Sequence, residues 1–379
     1  PPGSLAAIPG NQAATLAWTP SPSPDTAFYR LWWKAAAANW TAATLLDNLA
    51  GTSTTVTGLV NGSLYDFRLR AVDAAGNEST DLFASATPQP SIQIQGGGSF
   101  STIQQAIDAA APGQVVIVGP GTYGGDIVLH PGVSLEGYSP NYTILQGSGL
   151  GPVITVEGSF GSGQSSTISQ LTVTGGLTGI STTSADLTVR NGVIHHVAGD
   201  GIQAGVASRL TAINVTTVSN TGDGIEAAGT TIIRNTLAGE NGGTGFNVPL
   251  GASLSYNDAW GNTVDYTVGA GVSGNLSVAA VFTNEAAHDY TTPASSPTVD
   301  VGDPADDFSN EPLPNGGRID QGAYGNTAFA PLTTNPPAAT TSTAPGRRRG
   351  GGCGLLGLEA LLLFILRRRR ARAARPRTF

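Results

Sequence analysis

Residues 191–225, NGVIHHVAGDGIQAGVASRLTAINVTTVSNTGDGI, carry one pattern twice: an asparagine, short apolar runs and the tetrapeptide Gly-Asp-Gly-Ile. The pattern extends in both directions. Gly-Ile or Gly-Phe recurs at Gly179-Ile180, Gly201-Ile202, Gly224-Ile225 and Gly245-Phe246, in steps of 22, 23 and 21 residues. A second ladder, Gln170, Asn191, Asn214, Asn235 and Asn257, keeps the same period. Two independent ladders with one period near 22 predict a β-solenoid, in which each coil stacks on its neighbours. Asparagine tolerates left-handed backbone, so the ladder residues are expected at equivalent bends, their amides bonding to the coils above and below.

Upstream, Phe100 to Ala110 places Ile103, Ala106, Ile107 and Ala110 on one helical face, ended by Pro112-Gly113. A valine strand over 115–118, Pro120-Gly-Thr-Tyr123 and Pro131-Gly-Val-Ser-Leu-Glu-Gly137 follow. This run resembles the N-terminal cap and first coils of the right-handed parallel β-helix, or pectin-lyase-like, superfamily. The resemblance implies a helix covering the first coil, protecting its edge strands from unwanted pairing. Downstream, Asp289-Tyr290, Ser296 to Asp303 and Arg318-Ile-Asp-Gln-Gly-Ala-Tyr-Gly325 resemble the closing motif of surface β-helix proteins of the choice-of-anchor Q type.

Residues 1–88 read as a β-sandwich. Leu16 and Trp18, then Tyr29, Leu31 and Trp33, then Tyr65, Phe67, Leu69 and Ala71 alternate with polar residues between Gly, Pro and Asn turns. Trp18, Leu59 six residues before Tyr65, and Ala71 to Ser79 resemble the fibronectin type III family, with Leu59/Tyr65 as its tyrosine corner. The expected fold class is all-β: what resembles a fibronectin type III sandwich (1–88), a linker (89–97) and what resembles a right-handed parallel β-helix (98–330) with an N-terminal capping helix. A Thr/Pro/Ala stalk (331–349) and a C-terminal signal (350–379) complete the chain.

That signal has three parts: Gly350 to Gly354 with Cys353 inside, an apolar span over 355–366, and Arg367 to Arg370. The span is short of the roughly 20 residues a permanent membrane helix needs. It suits transient insertion, held by cytoplasmic arginines. It resembles the GlyGly-CTERM and MYXO-CTERM sorting signals of Gram-negative bacteria. The resemblance implies a sorting protease cutting near Gly352, Cys353 and Gly354, and a body delivered to the cell surface. Cys353 is the only cysteine, so no internal disulfide stabilises an exported body. Met is absent even at position 1, which reads as a trimmed N-terminus with any signal peptide out of view.

Ten of the 18 basic residues sit in 347–377, leaving eight against 25 acidic residues in 1–346, a charge of about −17. Such a body cannot hold a phosphate backbone, and nucleic acid is excluded as a partner.

The catalytic candidates are Asp200 and Asp223, equivalent positions one coil apart, with Arg209 or His196 nearby. Two close carboxylates would share a proton or bind a cation. The same Gly-Asp-Gly also reads as a turn in which aspartate accepts from backbone amides. The adjacent aspartates with Gly-His-Gly of β-helix hydrolases, and the arginine-proline motif of pectate lyases, are both missing. Asp300, Asp303, Asp306 and Asp307, with Glu311 and Asp320 behind them, form the candidate Ca²⁺ site, although the spacing is not that of a calcium hand. One of Trp32 and Trp33 must face outward, where an aromatic could stack on a sugar. The leading expectation is a non-catalytic surface module that binds an extracellular glycan or surface partner. A polysaccharide lyase or hydrolase is the rival, and a spacer the third reading.

Overall fold

A computed structural model describes residues 1–333 apart from 159, 160, 162 and 269–272. Alternation builds the N-terminal sandwich as expected. One sheet orders Leu5–Gly10, Ala13–Trp18 and Ser53–Thr57; the other orders Thr44–Leu49, Thr26–Ala35, Tyr65–Asp73 and Leu82–Ala86, all antiparallel. Between them lie Leu16, Trp18, Tyr29, Leu31, Val56, Leu59, Phe67 and Leu69, all buried. Trp18 meets Tyr29 edge-on with centroids 5.4 Å apart. The Tyr65 hydroxyl accepts from the Val60 N–H at 3.2 Å, next to buried Leu59. Trp33 packs against this core and Trp32 lies on the opposite face.

Beyond the sandwich the chain builds a β-solenoid of about seven coils, followed by an irregular segment. One strand set runs Val115–Val118, Ser134–Gly137 and Ser165–Ser169, then the first halves of Asp186–His195 and Arg209–Val218, then Thr230–Arg234 and Ser253–Ser255. The second halves of the two long strands belong to another set, which includes Thr172–Thr174, Leu237–Gly239 and Asp258–Trp260. A third set runs from Ile127–Leu129 to Val264–Tyr266. All these pairs are parallel and in register, so like side chains stack. Ile180, Ile202, Ile225 and Phe246 form one buried column. The glycine before each has a reason: a Cβ on Gly201 would stand 2.5 Å from the Gly224 carbonyl oxygen.

The segment read as a linker does more than connect, since Ile92–Ile94 pairs antiparallel with Val115–Val118 and extends the solenoid sheet. Helix Ile103–Ala109 starts at Thr102, whose hydroxyl accepts from the Gln105 N–H at 3.2 Å. It buries Ile103, Ala106 and Ile107 against the neighbouring strands. Among the described residues no helix is long and apolar enough to cross a membrane.

The bend between the first two strand sets falls on Gln170, Asn191, Asn214 and Asn235, with φ between 48° and 60°. In the next coil it falls on Tyr256 (φ 52°), so Asn257 is one residue out of this register. The amides also do not bond to one another. Asn191 donates to the Ala323 and Gly325 carbonyls at 3.1 and 2.8 Å, and Asn214 to those of Asp320 and Gly322 at 2.8 and 3.1 Å. Asn235 donates to the Asp306 carboxylate and accepts from the Asp303 N–H, both at 2.7 Å. The chain after the last coil thus folds back along the solenoid, and the bend residues hold it there. Tyr290, Ala323 and Tyr324 pack on Val193, Val218, Leu237 and Trp260 in a core of their own. Far down the solenoid, the Tyr324 hydroxyl donates to Asn141 at 2.5 Å.

The coil-to-coil amide bonds are made by Asn257 and by asparagines outside that ladder. Asn220 donates to Asn241 at 3.0 Å and Asn241 to Asn262 at 2.9 Å, all at a period of 21. Asn257 forms a parallel step with Asn275 at 3.1 Å.

At the last coils Asp258 is fully buried, one oxygen accepting from the Val278 N–H at 2.9 Å and the other without a partner. Burial, then Asp265, pushes its carboxyl up to about 7 against the Val278 bond. A folded value raised above the unfolded one gives stability that is full below pH ~4 and is lost as pH rises through ~7. Asp258 should contribute about 4 kcal/mol of the fall in stability across that window, the share that Asp258→Asn removes in chemical denaturation.

Candidate functional site

The Gly-Asp-Gly turns bring Asp200 and Asp223 together, and their oxygens are already engaged. Asp200 accepts from the Asp223 N–H at 2.7 Å, and Asp223 from the Thr244 N–H at 2.6 Å and the Asn247 amide at 2.7 Å. Each aspartate ties its coil to the next. Gln203 bridges Asp200 and Glu226 at 3.3 and 2.9 Å. Burial, opposed by the Asp223 N–H, and then the Glu226 and Asp223 charges leave the Asp200 carboxyl raised. A proton can rest there, but the other half of the expected machinery is elsewhere. Arg209 lies on the first strand set, its guanidinium 3.6 Å from Asp186. His196 sits at a different bend, with φ 52°. The proposed grouping of Asp200, Asp223, Arg209 and His196 is not one site: the solenoid period superposes Asp200 and Asp223, while Arg209 and His196 occupy other positions of the coil.

His196 instead joins His195 and His288 beside a cleft of about 420 Å³ between the solenoid and the returning segment. Its lining includes Asn141, Tyr142, Thr174, His195, His288 and Asp289. His195 closes the strand Asp186–His195, and His288 ends a short turn, Glu285–Ala287, with φ 58°. The Nδ1 atoms of His195 and His196 are 3.0 Å apart. The His288 ring stacks on His195 and meets His196 edge-on, with centroids 4.8 Å away in both cases. Burial, then His196 and His288, lowers the His195 imidazole to about 3; burial, then His288, lowers His196. Both are neutral at pH 7. The His195-His196 pair is visible in sequence, whereas His288 comes from an irregular segment whose spacing carries no signal.

The expected Ca²⁺ set is rearranged as well. Asp300, Glu311 and Asp320 converge, all buried, with one oxygen of each within 4.8 Å of the others. Glu311 accepts from the Asp320 and Asn326 N–H groups, and Asp320 from the Asp300 N–H. One oxygen each of Asp300 and Asp320 is buried without a partner. Burial, then Glu311, drives Asp320 up to about 8; burial raises Asp300 and Glu311 too. Asp303, Asp306 and Asp307 are not members. Asp306 pairs with Arg234 at 3.0 Å and with Asn235; Asp303 and Asp307 accept from the backbone N–H groups of Ala305 and Ser309 in local turns.

On the sandwich, the outward aromatics already have cations over them. The Arg68 guanidinium lies 4.5 Å from the Trp32 centroid and 4.9 Å from that of Trp40, and the Lys34 ammonium lies 5.0 Å from Trp40. A sugar stacking there would have to displace them. Gly352, Cys353, Gly354, the apolar span and the arginine cluster lie outside the described residues.

Residues 1–85 match the fibronectin type III domain family, and residues 157–284 match the right handed beta helix region family. No curated protein matches. Among solved structures, a β-1,2-glucanase from Parabacteroides distasonis is 22% identical, with a TM-score of 0.21 over 24% of this chain and 13% of its own. The family 28 exopolygalacturonase of Yersinia enterocolitica is 14% identical, with a TM-score of 0.23 over 70% of this chain and 80% of its own. Pectate lyase PelI of Erwinia chrysanthemi, in complex with tetragalacturonic acid, is 12% identical, with a TM-score of 0.22 over 73% and 83%.

Proposed function

We propose that this chain is an exported surface protein of a Gram-negative bacterium whose sandwich and solenoid form a non-catalytic binding body for an extracellular glycan or surface partner. The stalk and C-terminal signal carry it to the surface through a sorting protease acting near Cys353, with the apolar span inserting only transiently. The helix over Ile103–Ala109 closes the first coil. The single observation behind the non-catalytic reading is that Asp200 and Asp223 use their oxygens to tie coil to coil, away from Arg209 and His196. The cleft beside Tyr142 is the binding place: its volume falls in the range of small-ligand sites, and it mixes an aromatic ring with amide, hydroxyl and carboxylate groups. Calcium belongs to the same reading, held by Asp300, Glu311 and Asp320 as a structural ion.

Affinity electrophoresis against neutral and acidic polysaccharides tests this reading. At least one polymer should retard the chain, with no unsaturated or reducing-end products with or without Ca²⁺. Products that disappear on Asp200→Ala or Asp223→Ala would establish the lyase or hydrolase instead.

A further inference from the structure

We propose that His195, His196 and His288 bind one divalent transition-metal ion of the zinc class beside the cleft, joining the returning C-terminal segment to the solenoid. Each imidazole offers a nitrogen, and the three lie within 4.8 Å of one another. Nitrogens bonded to a tetrahedral zinc at about 2.0–2.1 Å stand about 3.4 Å apart. The His195–His196 pair, at 3.0 Å, is already that close, and ring rotation of the exposed His288 supplies the third contact.

A hydrogen bond between two neutral imidazoles accounts for the 3.0 Å pair alone. It leaves unexplained why a third imidazole, 92 residues beyond His196, is brought onto the same spot by the returning chain. His196 stands at a left-handed bend that recurs along the coils at Ser219 and Glu240, and His288 is left-handed at the end of its turn, so both sit on turns. Asp289 lines the same cleft as His195 and His288. Imidazole suits zinc, copper, nickel and cobalt, whereas calcium and magnesium prefer oxygen. Three histidines leave a fourth coordination position for water or a ligand from the cleft. A metal here would also lock the segment that the bend asparagines hold farther along. The inference does not depend on glycan binding, and its test contains no polysaccharide.

The full chain, stripped with chelator and dialysed, is titrated with Co²⁺ and then Zn²⁺, following calorimetry and the visible spectrum of cobalt. The expected result is one ion per chain, a cobalt spectrum of nitrogen ligation, and displacement by zinc. His196→Gln and His288→Gln, both at exposed positions, should each weaken binding by at least about tenfold. His130→Gln, the remaining histidine, pairs with Asp108 and Glu157 and should bind as the parent does. Binding by the parent no tighter than by the His196→Gln/His288→Gln double variant overturns the proposal. So does a cobalt spectrum unchanged by either single substitution.

Discussion

Replacing Asn214 by valine should destabilise the chain by about 4 kcal/mol and free the segment around residues 320–325 from the solenoid. The position makes two demands that asparagine meets together. Its backbone stands at φ 52°, where a β-branched side chain crowds its own peptide, at a cost of about 1–2 kcal/mol. Its buried amide satisfies the carbonyls of Asp320 and Gly322, and removing it leaves both without their donor, at about 1–3 kcal/mol each. Asn214→Gly separates the two terms, since glycine accepts the conformation but cannot donate from a side chain; its loss should be about 2–3 kcal/mol. From the other side, a Cβ on Gly325 would collide with the Asn214 amide and the Asp320 carbonyl, so Gly325→Ala should act at the same junction. Denaturant melts give the free energies. Hydrogen exchange should show protection lost at 320–325 ahead of the coils. A glycine variant as stable as the parent, with that segment still protected, would mean the asparagine serves the bend alone.

The same residues show how far the sequence could be read. A period of 21–23 places a side chain at one point of every coil, so the Gly-Ile column and the bend were legible from spacing alone. Spacing does not say what lies outside the coil. Asn191, Asn214 and Asn235 read as a ladder because they repeat, yet their partners are carbonyls or a carboxylate between 71 and 134 residues downstream. The asparagines that do bond coil to coil, Asn220, Asn241 and Asn262, repeat just as regularly, and their period was there to be found. Asp200 and Asp223 lay within reach of the same logic, because a repeated Gly-Asp-Gly serves the repeat before it serves any substrate. The histidine group and the carboxylate group were not legible. Each depends on an irregular segment folding back, and Glu311 and Asp320 meet Asp300 through a path with no period to read.

Calcium should stabilise this chain most at alkaline pH, and Asp320→Asn should abolish the effect. Asp300, Glu311 and Asp320 bury three carboxyl groups together, and a cluster of that kind is neutralised by protons or by a cation. Without calcium the protons do it. Asp320, raised to about 8 in the folded chain, contributes stability that is full below the unfolded value near 4 and is lost as pH rises through 8. Calcium should take over where the protons leave, using oxygens that have no other partner on Asp300 and Asp320. A hundredfold excess over Kd is worth about 2.7 kcal/mol, so at pH 9 in 10 mM calcium the melting temperature should rise by several degrees. At pH 6, where protons compete, the rise should be much smaller. Asp320→Asn acts in opposite directions in the two conditions. It removes a costly buried charge, so at pH 9 the chelated variant should be more stable than the chelated parent. It also removes a ligand, so calcium should no longer shift it. A parent indifferent to calcium at pH 9 would make the cluster a proton store only, and a full shift surviving in Asp320→Asn would place the ion elsewhere.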